Sequence, residues 1–220
     1  MTAMQKVYIY KQFERFWHWT QAILILFLAM TGFEVHDSIH LFGYENAVVY
    51  HRIAAWMLLG LIVFSVFWHI TTGEWRQYIP SFSKLSAQIH YYTFGMFKGE
   101  PHPTHKTARN KLNPLQAVTY LGFKLVMAPL IVVTGMVYMF YRTIDANDMV
   151  VVSEIPLEWI AWLHTFGAYL LLMFVIIHVY MTTTGSTPLT NIKAMLTGYE
   201  ELEDTEASHS VIKKEDPHEA

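Results

Sequence analysis

Four runs of apolar residues alternate with polar stretches along the chain, and each is long enough to cross about 30 Å of hydrocarbon as a helix. The first covers about residues 16–33, with AILILFLAM at its centre; the others cover about 47–70, 115–141 and 157–181. Backbone groups in lipid must pair within their own segment, so runs of this length predict helices. The fold class expected is an all-α, integral-membrane four-helix bundle over residues 1–200. The connections contain Gly, Pro or charges: HDSIHLFGYEN, the long segment 71–114, and RTIDANDMVVVSEIP. Residues 201–220, opened by the charge cluster EELED, read as a solvated, disordered tail. No small-x-small cleavage site follows the first run, so it reads as a span and not as a removed leader.

Composition supports the membrane reading. Of 220 residues, 53% are hydrophobic and 15% charged, where soluble domains carry about a quarter charged residues. Four such runs packed as soluble core helices would leave too little polar surface to coat them. A formal net charge of −3 argues against nucleic acid as a partner. The absence of Cys excludes a disulfide scaffold, thiolate zinc, ferredoxin-type iron–sulfur clusters and covalent c-type haem attachment within this chain. Basic residues set the expected orientation. Twelve of the fifteen lie before the first run, between the second and third, or after the fourth. Both termini and the segment 71–114 are therefore expected in the cytoplasm, with lipid around the spans.

The histidines carry the candidate chemistry, because ionisable residues within spans are costly and usually functional. Of the twelve, His18, His69 and His178 lie at the cytoplasmic ends of runs, and His51 and His164 at the outer ends. His164 and His178 are 14 residues apart on one helix, which turns them by only about 40° and separates them by roughly 21 Å. His18 matches the depth of His178, and His51 that of His164. Two imidazole pairs at two levels suit two axially ligated b-type haems, whose bis-histidine ligation favours electron transfer over oxygen chemistry. Zinc suits the pattern less, since each level offers two ligands where structural zinc takes four. Gly60, Gly135, Gly167 and Ala168 could admit a flat macrocycle, or serve plain helix packing.

RFWHW at 15–19, HRIAAW at 51–56, GEWRQYIP at 73–80, NPLQ at 113–116 and the HTFGAYLLLMFVIIHVYM run at 164–181 resemble the bacterial di-haem cytochrome b group. That group comprises nickel–iron hydrogenase cytochrome b subunits, formate dehydrogenase gamma subunits and thiosulfate-reductase-type cytochromes b, and GEWRQYIP and NPLQ make the last branch the nearest. The resemblance covers about residues 10–200. It implies four spans in the bacterial inner membrane, two b haems, and exchange of electrons with menaquinone or ubiquinone. His18 and His178 would ligate the cytoplasmic-side haem, and His51 and His164 the outer one. Asn113, with Gln116 beside it, would match a quinone-site position near the cytoplasmic-side haem. The chain would then be an electron-transfer subunit of a larger complex, without bond-making catalysis of its own. Its partner would be an extracytoplasmic iron–sulfur subunit or a multihaem cytochrome c. A reading of another class is a non-haem four-helix assembly factor or transporter.

Three further sets of residues stay open at this stage. His69 departs from the pattern and could be a ligand, a quinone or proton-relay residue, or an interfacial side chain, since His titrates near neutral pH. Arg15 and Arg52 flank predicted ligands and are candidate partners for haem propionates, with membrane anchoring the alternative for Arg15. Lys124, inside the third run, could meet a propionate, line a quinone pocket or snorkel to the interface. The aromatic, basic segment 71–114 is expected to lie on the cytoplasmic leaflet and roof the quinone site.

Overall fold

The computed structural model describes residues 4–101, 103–104, 111–145, 156–185 and 187–203. Lys106, Arg109 and the chain beyond Glu203, which entered the orientation and tail arguments, lie outside these residues. The elements in order are β1 (Met4–Tyr8), α1 (Gln12–Val35), α2 (Tyr44–Thr72), α3 (Leu85–His90), α4 (Pro114–Gly122), α5 (Ala128–Asp145), α6 (Leu157–Thr182), α7 (Thr190–Thr197) and β2 (Tyr199–Glu203). Four stretches are long and apolar enough to cross a membrane: Gln12–Val35, Tyr44–Thr72, Pro114–Tyr141 and Leu157–Thr182. The architecture is an all-α membrane bundle with one small two-stranded sheet.

Each span overruns the apolar run that predicts it, because capping chemistry sets the helix ends. At the α1 start the Glu14 carboxylate reaches back to accept the Lys11 amide at 2.7 Å through Oε2. At the start of α4, Asn113 Oδ1 accepts the Gln116 amide at 2.8 Å, the Asn113 amide donates to Gln116 Oε1 at 3.1 Å, and Pro114 fills the first turn. The third span is not a plain α-helix. Pro129 cannot donate to the carbonyl four residues back, and a π turn at Phe123–Met127 immediately precedes that stretch.

The α1–α2 connection folds around one carboxylate. Glu34 Oε1 accepts the amides of Leu41, Phe42 and Gly43 at 2.6–2.8 Å. The carboxylate thus ties down the last three loop amides before α2 and fixes where that helix begins. A small cluster of Leu24, Ala54 and Leu61, with Trp17, Phe27, Leu28 and Leu58 packed on it, joins α1 to α2. In the second hairpin α5 packs on α6, and Gly167 lies against Leu130 and Ile131. Large apolar side chains such as Ile23, Val63, Phe64, Phe67, Met173 and Ile176 face outward, as lipid solvation requires.

At the end of the bundle that carries both chain ends, β1 pairs antiparallel with β2, from Met4 opposite Glu203 to Tyr8 opposite Tyr199. The Gly198 carbonyl accepts the amides of Ile9 and Tyr10 at 2.8 and 3.1 Å. Gly198 has φ +88°, and a Cβ there would sit 2.6 Å from the Tyr8 ring, so glycine is required. Arg15 Nη1 donates to the Leu196 carbonyl at 2.7 Å, and Trp19 Nε1 to the Met195 carbonyl at 3.2 Å. This clasp corrects the expected tail boundary. Residues 201–203 belong to β2, because a partner strand almost 200 residues away supplies the hydrogen bonds that local charge patterning cannot reveal.

The described part of the segment 71–114 is built from short helical turns. It contains a 3-10 turn at Glu74–Tyr78, then α3, a π turn at Tyr91–Gly95 and a 3-10 turn at Met96–Lys98. Phe82, Ile89, Phe94 and Phe97 are exposed, while Gln88 is fully buried and accepts from Thr104 Oγ1 at 2.9 Å. An apolar outside and a buried polar inside make this stretch amphipathic.

A buried ion cluster ties the 3-10 turn to the start of α1. Lys111 Nζ donates to both Glu14 carboxylate oxygens at 2.7 and 2.9 Å and lies 3.6 Å from Glu74. Lys11 Nζ donates to Glu74 Oε1 at 2.7 Å, and Gln77 Nε2 donates to its other oxygen. Burial disfavours the charged Glu74 carboxylate, but the Lys11 hydrogen bond and the Lys111 charge outweigh it and hold its pKa below the ordinary carboxylate value.

Candidate haem sites and the polar cluster beside them

The four span histidines meet in two pairs. Nearer the chain ends, His18 on α1 faces His178 on α6 with ring centroids 6.1 Å apart. At the other depth, His51 on α2 faces His164 on α6 at 6.3 Å. The first pair is called the near level below, and the second the far level. An imidazole nitrogen binds a first-row metal at about 2.0–2.1 Å, and a five-membered ring with bonds of about 1.33 Å has vertices about 1.1 Å from its centre. Two rings on opposite sides of one metal therefore lie about 6.4 Å apart, centre to centre. Both observed separations match this within a few tenths of an ångström. Among the described residues no group of three or more His, Asp or Glu side chains is placed to hold a metal ion. The pairs suit a metal that brings its equatorial ligands with it, as haem iron does.

The far-level imidazoles are held from behind. His51 Nδ1 lies 2.9 Å from Thr31 Oγ1, and His164 Nδ1 lies 3.2 Å from Thr134 Oγ1. At the near level, His178 Nδ1 lies 3.2 Å from the Tyr120 hydroxyl, and Phe174 stacks on its ring at 12°. His18 Nδ1 is buried with no hydrogen-bond partner among the described residues.

Of the three glycines predicted to admit a macrocycle, Gly135 is the one that lies against an imidazole. A Cβ there would lie 2.9 Å from His164 Cε1, too close for the ring to stay in place. Gly135→Ala is therefore expected to displace His164 and weaken haem retention at that level by about 10–100-fold, the range seen when support for a metal ligand is lost. Haem content after chelating-resin or apo-globin challenge would show it; wild-type retention would refute the packing argument. Gly60 meets nothing within 4 Å.

The structure separates the remaining candidates into groups. His69 is 8% exposed and fully bonded: Nδ1 donates to the Ser65 carbonyl at 2.6 Å, and Nε2 lies 3.3 Å from the Tyr78 hydroxyl. Because a carbonyl cannot donate, Nδ1 carries the proton and Nε2 accepts from Tyr78. With both nitrogens engaged, His69 has no lone pair free for a metal, which argues against the ligand alternative. Lys124 Nζ sits 3.2 Å from the centre of the Tyr78 ring and 5.7 Å from that of Trp17, a cation–π arrangement. Trp17 in turn meets His69 edge-on at 5.6 Å and precedes His18 in sequence. His69, Tyr78, Lys124 and Trp17 thus form one polar cluster beside the near level. Burial, reinforced by the Glu14 charge, pushes the Tyr78 phenol above its ordinary pKa, so it stays protonated.

Asn113 and Gln116 stand at the start of α4, which packs on the 3-10 turn that carries Tyr78. Beyond their mutual capping bonds, Asn113 Nδ2 donates to the Tyr92 hydroxyl at 3.1 Å. Arg15 uses Nη1 on the clasp and leaves Nε buried without a partner among the described residues. Arg52 is exposed. The residues that sequence reading passed over are Thr31, Thr134, Tyr120 and Tyr78. One signal was present: Tyr120 and Thr134 are 14 residues apart, the same spacing as the histidines they support.

A family model described as prokaryotic cytochrome b561 matches residues 9–198. The chain is 28% identical over 206 residues to the protein named cytochrome YdhU of Escherichia coli (strain K12), covering 89% of this chain and 75% of that one. It is 26% identical over 204 residues to a Ni/Fe-hydrogenase B-type cytochrome subunit of Rhizobium leguminosarum bv. viciae, covering 80% of each.

Proposed function

Because this chain belongs to the prokaryotic cytochrome b561 family, and is thus a membrane b-type cytochrome of electron transfer, we propose that it holds two b haems in series. They would join membrane quinone on the cytoplasmic side to a redox subunit docked on the extracytoplasmic face. The observation that carries this reading is the meeting of four imidazoles from three spans at two depths, each pair at a separation suited to one iron. When bound, a bis-imidazole haem stores and releases single electrons without an open position for oxygen. His18 and His178 hold the near-level haem on the cytoplasmic side, and His51 and His164 hold the outer one. Arg15, three residues before His18 and with Nε unpartnered among the described residues, and Arg52, next to His51 in the chain and exposed, would meet the propionates.

Quinone, menaquinone or ubiquinone, is the exchangeable substrate. Reducing it to quinol takes two electrons and two protons, so its site needs proton-carrying groups beside the near level. His69, Tyr78 and Lys124 supply them: the Lys124 ammonium is a donor able to meet a quinone oxygen, and the Tyr78 hydroxyl, whose one hydrogen goes to His69 Nε2, forms a proton relay with that imidazole. Asn113 and Gln116 hold the first turn of α4 and, through Tyr92, the ordered roof above this region. The similarity to a hydrogenase cytochrome subunit supports an oxidoreductase partner, with an iron–sulfur or multihaem cytochrome subunit as the contacting unit.

The purified full-length chain is expected to contain two haems per polypeptide by pyridine haemochrome assay. His69→Ala is expected to keep both, yet slow haem reduction by a soluble quinol about 100-fold, in the range for losing a general acid–base group. A single haem per chain would overturn the two-haem reading. A wild-type quinol rate in His69→Ala would overturn the quinone assignment.

A further inference from the structure

Two Thr-Gly dipeptides lie inside spans, at 31–32 on α1 and 134–135 on α5, and each abuts a far-level imidazole. Thr31 Oγ1 lies 2.9 Å from the Phe27 carbonyl, four residues back on its own helix, and 2.9 Å from His51 Nδ1. Thr134 Oγ1 lies 2.6 Å from the Leu130 carbonyl and 3.2 Å from His164 Nδ1. The glycine beside each threonine lies against the ring, at ordinary contact range for Gly32 and closer than a Cβ allows for Gly135. A Cβ at Gly32 would come within 3.6 Å of His51 Cε1, and one at Gly135 within 2.9 Å of His164 Cε1. Helices α1 and α5 thus present the same device to the two ligands.

The hydrogen bonds assign the protons. A hydroxyl has one hydrogen, and the bond to the helix carbonyl uses it. The threonine oxygen therefore accepts from Nδ1–H of the histidine. A neutral imidazole has a single N–H, so its Nε2 carries the free lone pair. The opposite tautomer would forfeit the back-bond, point an N–H into the space between the rings, and leave nothing to ligate iron. At the near level this device is missing: His18 Nδ1 has no partner among the described residues, and the hydroxyl facing His178 belongs to Tyr120.

We infer that Thr31 and Thr134 are positioning residues for the far-level haem. Each locks its ligand as the Nδ1–H tautomer and, by accepting that hydrogen, makes Nε2 a stronger electron donor to the iron. Stronger donation favours the ferric state, so the pair holds the potential of this haem down. The inference rests on the two-haem reading and is tested separately from it.

The variants are Thr31→Val, Thr134→Val and both together, with the serine substitutions as the conservative series, all in the full-length chain. A second set carries His18→Ala, so that only the far-level haem is observed. Redox titration of the alpha band, ferric low-spin electron paramagnetic resonance and haem retention against apo-globin are the readouts. Circular dichroism confirms that the bundle is intact. The double valine variant is expected to titrate at a higher far-level potential, with altered g values and about 10–100-fold weaker haem retention. The near-level component should stay in place, and serine should restore the wild-type behaviour. Unchanged far-level potential and retention in folded valine variants would overturn the inference. A His18→Ala protein with no haem would instead overturn the two-haem reading.

Discussion

The chain carrying His164→Ala and His178→Ala is expected to lose its b-type alpha band completely. Helix α6 contributes one imidazole to each pair, with His18 opposite one and His51 opposite the other. Removing both α6 ligands leaves each level with a single imidazole, and loss of one axial bond from a bis-histidine site removes the arrangement that makes it low-spin and tightly bound. Each single variant should keep about half the haem, since the two levels stand roughly 21 Å apart on one helix and share no ligand. A reduced-minus-oxidised spectrum with a haem-to-chain ratio measures the effect, and circular dichroism shows whether the spans remain helical. Full haem content in the double variant would mean that other residues hold it.

The largest loss of stability is expected from Lys111→Met. Lys111 is 6% exposed, donates to both oxygens of Glu14 and lies close to Glu74. Its removal leaves two carboxylates together with no buried cation between them, and breaking a buried pair from one side costs about 3–5 kcal/mol. Lys111→Met with Glu14→Gln should recover much of that, because the stranded charge goes too. Thermal unfolding of the detergent-solubilised protein reads both. Equal stability of the single and double variants would show that the cluster is not the cause.

The same cluster predicts a pH dependence with a definite sign. The folded pKa of Glu74 is below its unfolded value, so its contribution is present above about pH 4.3 and disappears as pH falls through the folded value. Lys11 is raised, chiefly by its hydrogen bond to Glu74. Its contribution is present below about pH 10.4 and is lost as pH rises through the folded value. Between these limits the link between the 3-10 turn and α1 is intact. Glu74→Gln should flatten the acid-side fall of the wild-type thermal midpoint.

The spans were legible because the bilayer imposes one requirement, apolar length, that a single sequence displays directly. The histidine pairing was legible because two side chains that meet partners at two depths of a bundle recur at helical spacing on one face of α6. The rest depends on partners distant in sequence. Glu14, Glu74 and Lys111 look like ordinary charges at helix ends until folding brings residues 14 and 111 together. EELED looks like a solvated tail until β1 lies beside it. The Thr-Gly dipeptides inside α1 and α5 were hidden among three others, at 72–73, 184–185 and 197–198, all at or beyond helix ends, where Gly ordinarily stops a helix. Asn113 and Gln116, picked out by resemblance, prove to be each other's capping partners, a local role that capping-box spacing alone would have indicated.

The dependence of both imidazole pairs on α6 sets a timetable for biosynthesis. His18 and His178 are 160 residues apart in the chain, and His51 and His164 are 113 apart. On ribosomes adding about 5–20 residues per second, roughly 8–30 s separate synthesis of the first near-level ligand from that of the second. During that interval neither level can be closed from both sides, however many earlier spans have entered the bilayer. On the proposed two-haem reading, haem loading at either depth would therefore come late in maturation, completed only after the fourth helix has been made.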